Sequence, residues 1–211
     1  MNKVGTSLLM LGLLSNMVGC SPIHTTVSNQ YKLEAFSAQK LTNKKTRNTI
    51  LVSQPESLAG NQTEQMQYVK KPFELNSFAH NAWIGPPANM LYPLIMESLQ
   101  KSGYFYAVAS GPFVDKADYR LDTQLITLQQ NYLLKPSVVD LVVKVTLTQI
   151  QDNRVIISRI ITQHVPCPSD TPYGGVIAAN RATHAFTAVL SRFVVSAVER
   201  DRHKESISAV A

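Results

Sequence analysis

The side chains that could carry out chemistry are few and widely separated in the sequence. The 211-residue chain contains five histidines and two cysteines, and the pair closest to a chemical motif is His164 and Cys167, separated by Val165 and Pro166. Two such residues only weakly indicate a metal site or a nucleophile with its base, because zinc sites take three or four protein ligands. No serine lies in a G-x-S-x-G elbow, and no glycine-rich phosphate loop is present. We therefore expect no catalytic residues, no metal and no cofactor.

A different chemistry is indicated at the start of the sequence, where Lys3 precedes the uncharged run Val4 to Leu14. This run has about the length of a signal-peptide h-region and is short of the roughly 20 residues that span a bilayer. A buried core helix fits less well, since Gly5 and Gly12 weaken a helix interior. We predict an export signal over residues 1–19.

The residues Met17-Val18-Gly19-Cys20 resemble the bacterial lipobox, in which the cysteine thiol is diacylated and the new amine is acylated after cleavage. Cys20 is therefore the predicted lipid attachment site, with palmitate among the expected modifications. More than one acyl chain gives stable anchoring, at about 0.8 kcal/mol per buried methylene. An ordinary signal peptide followed by a free cysteine is the alternative.

Ser21 follows the predicted lipidated cysteine. In lipoproteins of Gram-negative bacteria, aspartate at this position favours retention in the inner membrane, so serine predicts the outer membrane, with the protein facing the periplasm. Lipid on Cys20 would leave Cys167 without a disulfide partner within the chain.

Length and charge bound the organisation and the partners. We predict a lipidated tether over residues 20–29, one domain over residues 30–200 and a flexible tail over residues 201–211. The formal net charge is +6, and a basic balance can indicate nucleic acid or anionic lipid. An exported protein meets little nucleic acid, so we expect a solvated basic surface and no nucleic-acid partner.

Hydrophobic periodicity predicts the secondary structure. Alternating residues indicate strands at Tyr31–Ala35, Asn48–Ser53, Gln65–Lys70, Tyr104–Ala109, Tyr119–Gln130, Val138–Ile150 and Val155–Val165, with Gln65–Lys70 as an edge strand. Helical segments are predicted at Asn76–Ala82, Pro86–Gly103 and Val176–Arg200, with a short turn or helix at Pro55–Leu58. The order predicts an α+β two-layer sandwich, with a largely antiparallel or mixed sheet of about six strands covered by two main helices.

The same periodicity predicts which residues fill the space between sheet and helices. Trp83 and Tyr119 should be largely buried. The other predicted core residues are Met90, Leu94, Leu141, Val143, Phe186 and Leu190.

Short motifs in a fixed order run along the chain from Tyr31 to about Glu199. They comprise Tyr31 and Leu33; Ile50, Val52 and Pro55; Met66 and Tyr68; Trp83, Pro86, Pro87, Met90 and Leu91; Leu99, Ser102, Gly103, Phe105 and Val108; Ala117, Asp118, Tyr119 and Leu121; and, in the last helix, Ala178, Ala179, Asn180, Ala182 and Leu190. In order and spacing they resemble the ABC-type transport auxiliary lipoproteins, the PqiC-like family.

This resemblance implies a role without catalysis. Such lipoproteins accompany MCE-domain proteins and ABC permease and ATPase systems that move lipids or other hydrophobic molecules between the two membranes. The resemblance also implies a ring of such lipoproteins at the outer membrane that receives the MCE partner. The resemblance therefore implies a docking subunit and a homo-oligomeric ring.

Two functions remain open from the sequence. A docking subunit needs an exposed strand edge or an apolar patch, whereas an independent periplasmic binder of a hydrophobic ligand needs a closed apolar pocket; a cell-wall enzyme is a further alternative. The candidate partner-binding residues are Gln65, Gln67 and Tyr68, on the predicted edge strand, and Trp83. For Trp83, structural packing against the helix that follows Pro86 and Pro87 is the competing interpretation.

The anchor prediction is tested by replacing Cys20 with alanine. We expect Cys20→Ala to incorporate no labelled palmitate and to remain uncleaved or become soluble, because the acylated thiol is lost. Metabolic labelling and membrane fractionation measure both effects, with Cys167→Ser as the matched control that keeps the label. Normal outer-membrane fractionation of Cys20→Ala, with the lipid label retained, would contradict the prediction.

Overall fold

The computed structural model describes residues 29–111 and 117–208. The predicted signal peptide, Cys20 and nearly all of the predicted tether lie outside the described residues. The described residues form one sheet of nine strands and two helices. The strands are β1 (Asn29–Tyr31), β2 (Thr49–Val52), β3 (Glu56–Ser57), β4 (Gln65–Lys71), β5 (Glu74–Trp83), β6 (Ala107–Ala109), β7 (Tyr119–Asn131), β8 (Val138–Gln149) and β9 (Arg154–Pro166). The helices are α1 (Pro87–Lys101) and α2 (Pro172–Ser208).

The long strand β7 organises the sheet. On one side it pairs along its length with antiparallel β8, and β9 pairs with the far side of β8. On its other side the short strands β2, β3 and β4 follow one another, all parallel to it. Beyond these lie β6, next to β2, and β5, next to β4, with β1 beside the end of β5. The sheet is therefore mixed, and the predicted α+β class is confirmed with nine strands instead of six.

Both helices contact the sheet, and the core lies between them and the strands. On β8, Leu141, Val143, Val145 and Leu147 are all buried, while Lys144 on the opposite side of the strand is exposed. This alternation is the period expected of a strand with one covered face. The structure confirms that all the predicted core residues are buried, including Trp83 and Tyr119, each 3% exposed.

The segment predicted as a helix over Asn76–Ala82 is a strand, and that prediction is wrong. These residues lie in β5, which forms an antiparallel hairpin with β4; Tyr68 faces Asn76 and Val69 faces Leu75. Phe73 turns the chain at the tip with φ of 66°. Pairing with β4 satisfies the backbone of this segment, and that pairing overrides weak local preferences. The turn or helix predicted at Pro55–Leu58 is likewise replaced by the short strand β3.

The strand predicted at Gln65–Lys70 exists as β4, but the prediction that it is an edge strand is wrong. It lies between β5 and β7 and pairs with both. The error follows from the missed strand β5, which covers the side of β4 that would otherwise be open. Among the described strands, the long strand β9 is an edge strand, because it pairs only with β8.

Three predicted elements also change their bounds. The first strand lies earlier than predicted, because β1 covers Asn29–Tyr31 and shares only Tyr31 with the predicted strand Tyr31–Ala35. The strand predicted at Tyr104–Ala109 begins only at Ala107. Helix α2 begins at Pro172 and continues to Ser208, past the predicted end at residue 200. Asp201, 4% exposed, holds this extension: its carboxylate accepts a hydrogen bond from Arg154 Nη1 at 2.8 Å and from the Tyr119 hydroxyl at 3.4 Å. Burial, followed by the charge of Asp201, raises the pKa of Tyr119.

Within the described residues, neither helix combines the length and the apolar character needed to cross a membrane.

The inner-face assignment is tested by truncating Leu190, which is fully buried on α2. We expect Leu190→Ala to lower the free energy of unfolding by about 2–5 kcal/mol, through lost transfer energy and a cavity. Denaturant unfolding measures the change, and Ile207→Ala, at a position 58% exposed on the same helix, is the control. Equal stability of the two variants would show that the inner face is assigned wrongly.

Candidate functional site

The predicted partner-binding residues divide between the interior and the surface. Trp83 is buried and Gln67 is 8% exposed, with its amide donating a hydrogen bond to the Gly60 carbonyl. Gln65 is exposed, and its Oε1 accepts a hydrogen bond from Ser77 Oγ at 3.0 Å. Tyr68 is half-buried. Trp83 and Gln67 thus occupy packing positions, whereas Gln65 and Tyr68 reach the surface beside β5.

His164 and Cys167, the two residues closest to a chemical motif in the sequence, lie in two different environments. His164 is exposed, and its Nδ1 lies 2.6 Å from Asp140 Oδ1 across the β8–β9 pair. Cys167 is buried, and its Sγ accepts a hydrogen bond from Gln130 Nε2 at 3.6 Å. Burial raises the pKa of the Cys167 thiol, which disfavours the reactive thiolate. The two residues are not arranged as a nucleophile and base.

Metal binding has no support in the part of the chain that the structure describes. Residues 29–111 and 117–208 contain no group of three or more His, Cys, Asp or Glu side chains that could hold an ion. His164 has one carboxylate neighbour, Asp140, whose other oxygen accepts a hydrogen bond from Asn131 Nδ2 at 3.2 Å. This arrangement is a hydrogen-bonded surface pair on the sheet.

A groove of about 690 Å³ lies between β1, the residues that follow it, and the first turns of α2. Tyr31 and Tyr173 stand on its two sides with ring centroids 6.0 Å apart. Its lining also includes the charged side chains of Lys32, Glu34 and Arg181. An open groove with this lining differs from the closed, mostly apolar pocket expected of a binder of hydrophobic ligands.

Asn180 joins the two sides of this groove. Its Oδ1 accepts hydrogen bonds from the backbone N–H of Glu34 at 2.9 Å and of Ala35 at 3.1 Å. Its Nδ2 donates to the carbonyl oxygens of Lys32 and Val176, both at 3.1 Å. One side chain therefore satisfies three backbone groups of an extended segment that has no strand neighbour there. Sequence analysis identified Asn180 only as a motif residue of the last helix.

The segment over residues 32–47, which we term the strap, continues across both helices. Ser37 N–H donates to Thr187 Oγ1 on α2 at 2.9 Å. Farther on, the N–H groups of Leu41 and Thr42 donate to the carbonyl of Ser102 at the end of α1. Gly103 has φ of +73°, and a Cβ at this position would lie only 2.8 Å from the backbone carbonyl oxygen of Thr42. The strap thus links β1 to the helix layer through hydrogen bonds to both helices.

The long strand β9 presents the other candidate surface. Its inner side pairs with β8, and within the described residues no strand pairs with its outer side. Val155 is 59% and Ile160 56% exposed on this strand. The Arg159 guanidinium lies 5.7 Å from the centre of the Phe193 ring on α2. An edge with free N–H and C=O groups and exposed apolar side chains can accept a strand from another chain.

Comparison with known proteins gives one family. The family model described as the ABC-type transport auxiliary lipoprotein component matches residues 31–190. A crystal structure of a DUF330 protein from Xanthomonas campestris matches with a TM-score of 0.73 and 19% identity, covering 82% of this chain and 99% of that one. An uncharacterized protein matches with a TM-score of 0.66 and 15% identity, covering 80% and 99%. These structures show the fold. No functionally curated protein matches the sequence significantly.

The role of Asn180 is tested by its replacement with alanine. Asn180→Ala leaves the N–H groups of Glu34 and Ala35 without their acceptor, so we expect faster hydrogen exchange in the strap and a loss of about 1–3 kcal/mol in stability. Hydrogen exchange and denaturant unfolding measure these changes. Arg181→Ala, at the next and exposed position, should change neither. Unaltered exchange in Asn180→Ala would mean that the strap is held by other contacts.

Proposed function

The chain belongs to the ABC-type transport auxiliary lipoprotein family, and from that premise we propose that it is a non-catalytic docking subunit of an ABC transport system. In this proposal, Cys20 carries lipid that anchors the protein in the outer membrane, and the domain faces the periplasm. Its partner is an MCE-domain protein associated with a permease and an ATPase that move lipids or other hydrophobic molecules between the two membranes. The observation that carries the proposal is the family match over residues 31–190.

The surface proposed for docking is β9, since β4 lies inside the sheet. β9 extends over 13 residues, from Arg154 to Pro166. A strand of the partner can add to it through backbone hydrogen bonds, and the exposed side chains of Val155 and Ile160 supply apolar contacts. Charged residues on an edge strand oppose unselective pairing, and Arg159 has this effect on β9. Docking therefore favours a partner that offers a matching strand.

Gln65 and Tyr68, the surface residues among the original candidates, belong to a second contact region in this proposal. They lie on the opposite side of β7 from β9. Head-to-tail association uses two different surfaces of one subunit, and contacts of this kind form a ring when the rotation between neighbouring subunits closes. A homo-oligomeric ring is thus compatible with the β4–β5 side of one subunit meeting a surface of the next subunit other than β9, which stays open to the MCE-domain partner.

The alternatives of a hydrophobic-ligand binder or a cell-wall enzyme have less support. The groove beside Tyr31 and Tyr173 is open and partly charged, and the pocket beside Trp83 measures only about 10 Å³. That volume is close to the minimum that holds one water molecule. A hydrolytic enzyme would need a nucleophile and a base in contact. The His164 side chain is exposed whereas Cys167 is buried, so these two residues do not form such a pair.

The docking surface is tested with the double variant Val155→Lys and Ile160→Lys. Both side chains are exposed, so the fold should persist, whereas burying two charges against a partner is unfavourable. We expect recovery of the MCE-domain partner from detergent-solubilised membranes to fall about tenfold or more, equivalent to about 1.4 kcal/mol. Complementation of a deletion strain under membrane stress should fail. Ile207→Lys, at another exposed apolar position, is the matched control.

The same complementation assay separates docking from catalysis. His164→Ala, Cys167→Ser and His184→Ala should all complement, because docking depends on no single one of these side chains. Complete loss of function in one of them, at normal abundance and with normal anchoring, would favour an enzyme or a metal site. Full complementation by the β9 double variant would show that docking uses another surface.

A further inference from the structure

One end of the sheet carries two neighbouring turns, which we term the hairpin end. These are the β4–β5 turn and the β7–β8 loop. They lie side by side because β4 and β7 are paired up to Val69 and Asn131. The backbone N–H of Tyr132 donates to the carbonyl of Val69 at 2.8 Å and joins the two turns. They form a single surface at the end of the molecule.

The hairpin end exposes more large apolar side chains than a solvated turn requires. Phe73 at the tip of the first turn is fully exposed, and Leu75 follows it at 51%. On the second turn Leu133 and Leu134 are 47% and 54% exposed. Phe73 has φ of 66°, a conformation that non-glycine residues rarely adopt. Apolar side chains grouped at the surface mark an interaction site.

Cationic side chains surround these apolar residues. Lys70 lies over two aromatic rings, 5.0 Å from the centre of the Tyr68 ring and 5.4 Å from that of Tyr132. Lys135 is exposed on the second turn, and Lys71 forms a 3.7 Å ion pair with Glu74. Lysines and aromatic rings next to exposed apolar side chains are typical of surfaces that rest in the headgroup layer of a membrane.

The direction of β1 relates this end to the predicted anchor. β1 is parallel to β5, with Asn29 opposite Asn81, and β5 begins at Glu74 at the hairpin end. The first residue of β1 is therefore the one nearest that end. From Glu74 to Asn81 the strand extends roughly 23 Å at about 3.3 Å per residue. The segment of chain from Cys20 to Asn29 can extend over at most about 30 Å. Lipid on Cys20 is within reach of the hairpin end.

We propose that the hairpin end rests against the membrane that holds the lipid on Cys20, with Phe73 and the neighbouring leucines among the headgroups and the lysines on anionic phospholipid. This inference rests on the proposed anchor for the choice of membrane. The acyl chains supply the affinity, and the hairpin end fixes the orientation. The sheet then stands with its strands directed away from the membrane, and the opposite end, which includes Tyr106, faces the periplasm.

The experiment places a fluorescent probe on the hairpin end of the full lipidated chain. Phe73→Cys is labelled with the environment-sensitive dye NBD and reconstituted into phosphatidylethanolamine vesicles containing phosphatidylglycerol. Tyr106→Cys, at a site 68% exposed near the opposite end of the sheet, is the matched control. Cys167 is buried, and labelling of the unsubstituted chain measures its background.

We expect a blue-shifted emission for the probe at position 73, with quenching by doxyl-labelled lipids, since interfacial side chains lie about 5–10 Å into the boundary. The probe at position 106 should emit as in water and stay unquenched. The shift at position 73 should weaken when phosphatidylglycerol is left out, because the lysines then lose their lipid partners.

Other outcomes would overturn the inference and are distinguishable. A chain that floats with the vesicles but carries a water-like probe at position 73 would overturn the membrane contact and leave the anchor intact. A chain that does not float would overturn the anchor and the contact together. A blue shift that grows with protein density and is not quenched by doxyl lipid would mean that a second copy covers the hairpin end.

Discussion

The backbone pairing of β7 is the constraint on which the other parts of the structure depend. Every buried N–H and C=O needs a hydrogen-bond partner, and a central strand of 13 residues must find them on both sides. Antiparallel β8 supplies one side continuously, and β2, β3 and β4 supply the other in succession. The positions of the remaining strands follow, because each pairs with one of these neighbours or, for β1, with β5. The inner face so formed is covered by the two helices.

The strap shows how a segment outside the sheet meets the same requirement by other means. It has no strand neighbour where it crosses α2, so side chains of that helix provide its hydrogen bonds. The Asn180 side chain accepts hydrogen bonds from the N–H groups of Glu34 and Ala35 and donates one to the carbonyl of Lys32. The Thr187 hydroxyl accepts one from the N–H of Ser37. The Ser37 contact is buried and the Ala35 contact is partly buried, and in such surroundings an unpaired backbone group costs most. The strap thereby connects β1, the described segment nearest to the predicted anchor, to the helix layer.

The proposed docking edge β9 and the proposed membrane contact at the hairpin end lie in different parts of this framework. The hairpin end is formed by the turns on either side of the β4–β7 pairing, whereas β9 is separated from β7 by β8. A membrane at one end leaves the length of β9 accessible to a partner from the side. A rigid sheet held upright would present that edge in a constant orientation, which lowers the entropy lost when the partner binds. The two proposals are thus compatible within one molecule.

The sequence by itself determined the features that depend on local pattern. The long strands β7 to β9, helix α1 and core residues such as Leu141 and Leu190 follow from periodicity, because each is encoded within a short window. The family resemblance rests on the order of short motifs along the chain. Tertiary structure alone decided that Asn76–Ala82 is a strand, that β4 is internal and that Asn180 holds the strap. Each of these depends on hydrogen bonds between residues distant in sequence, and the same polar residues fit a helix, a strand or a loop until a partner is present.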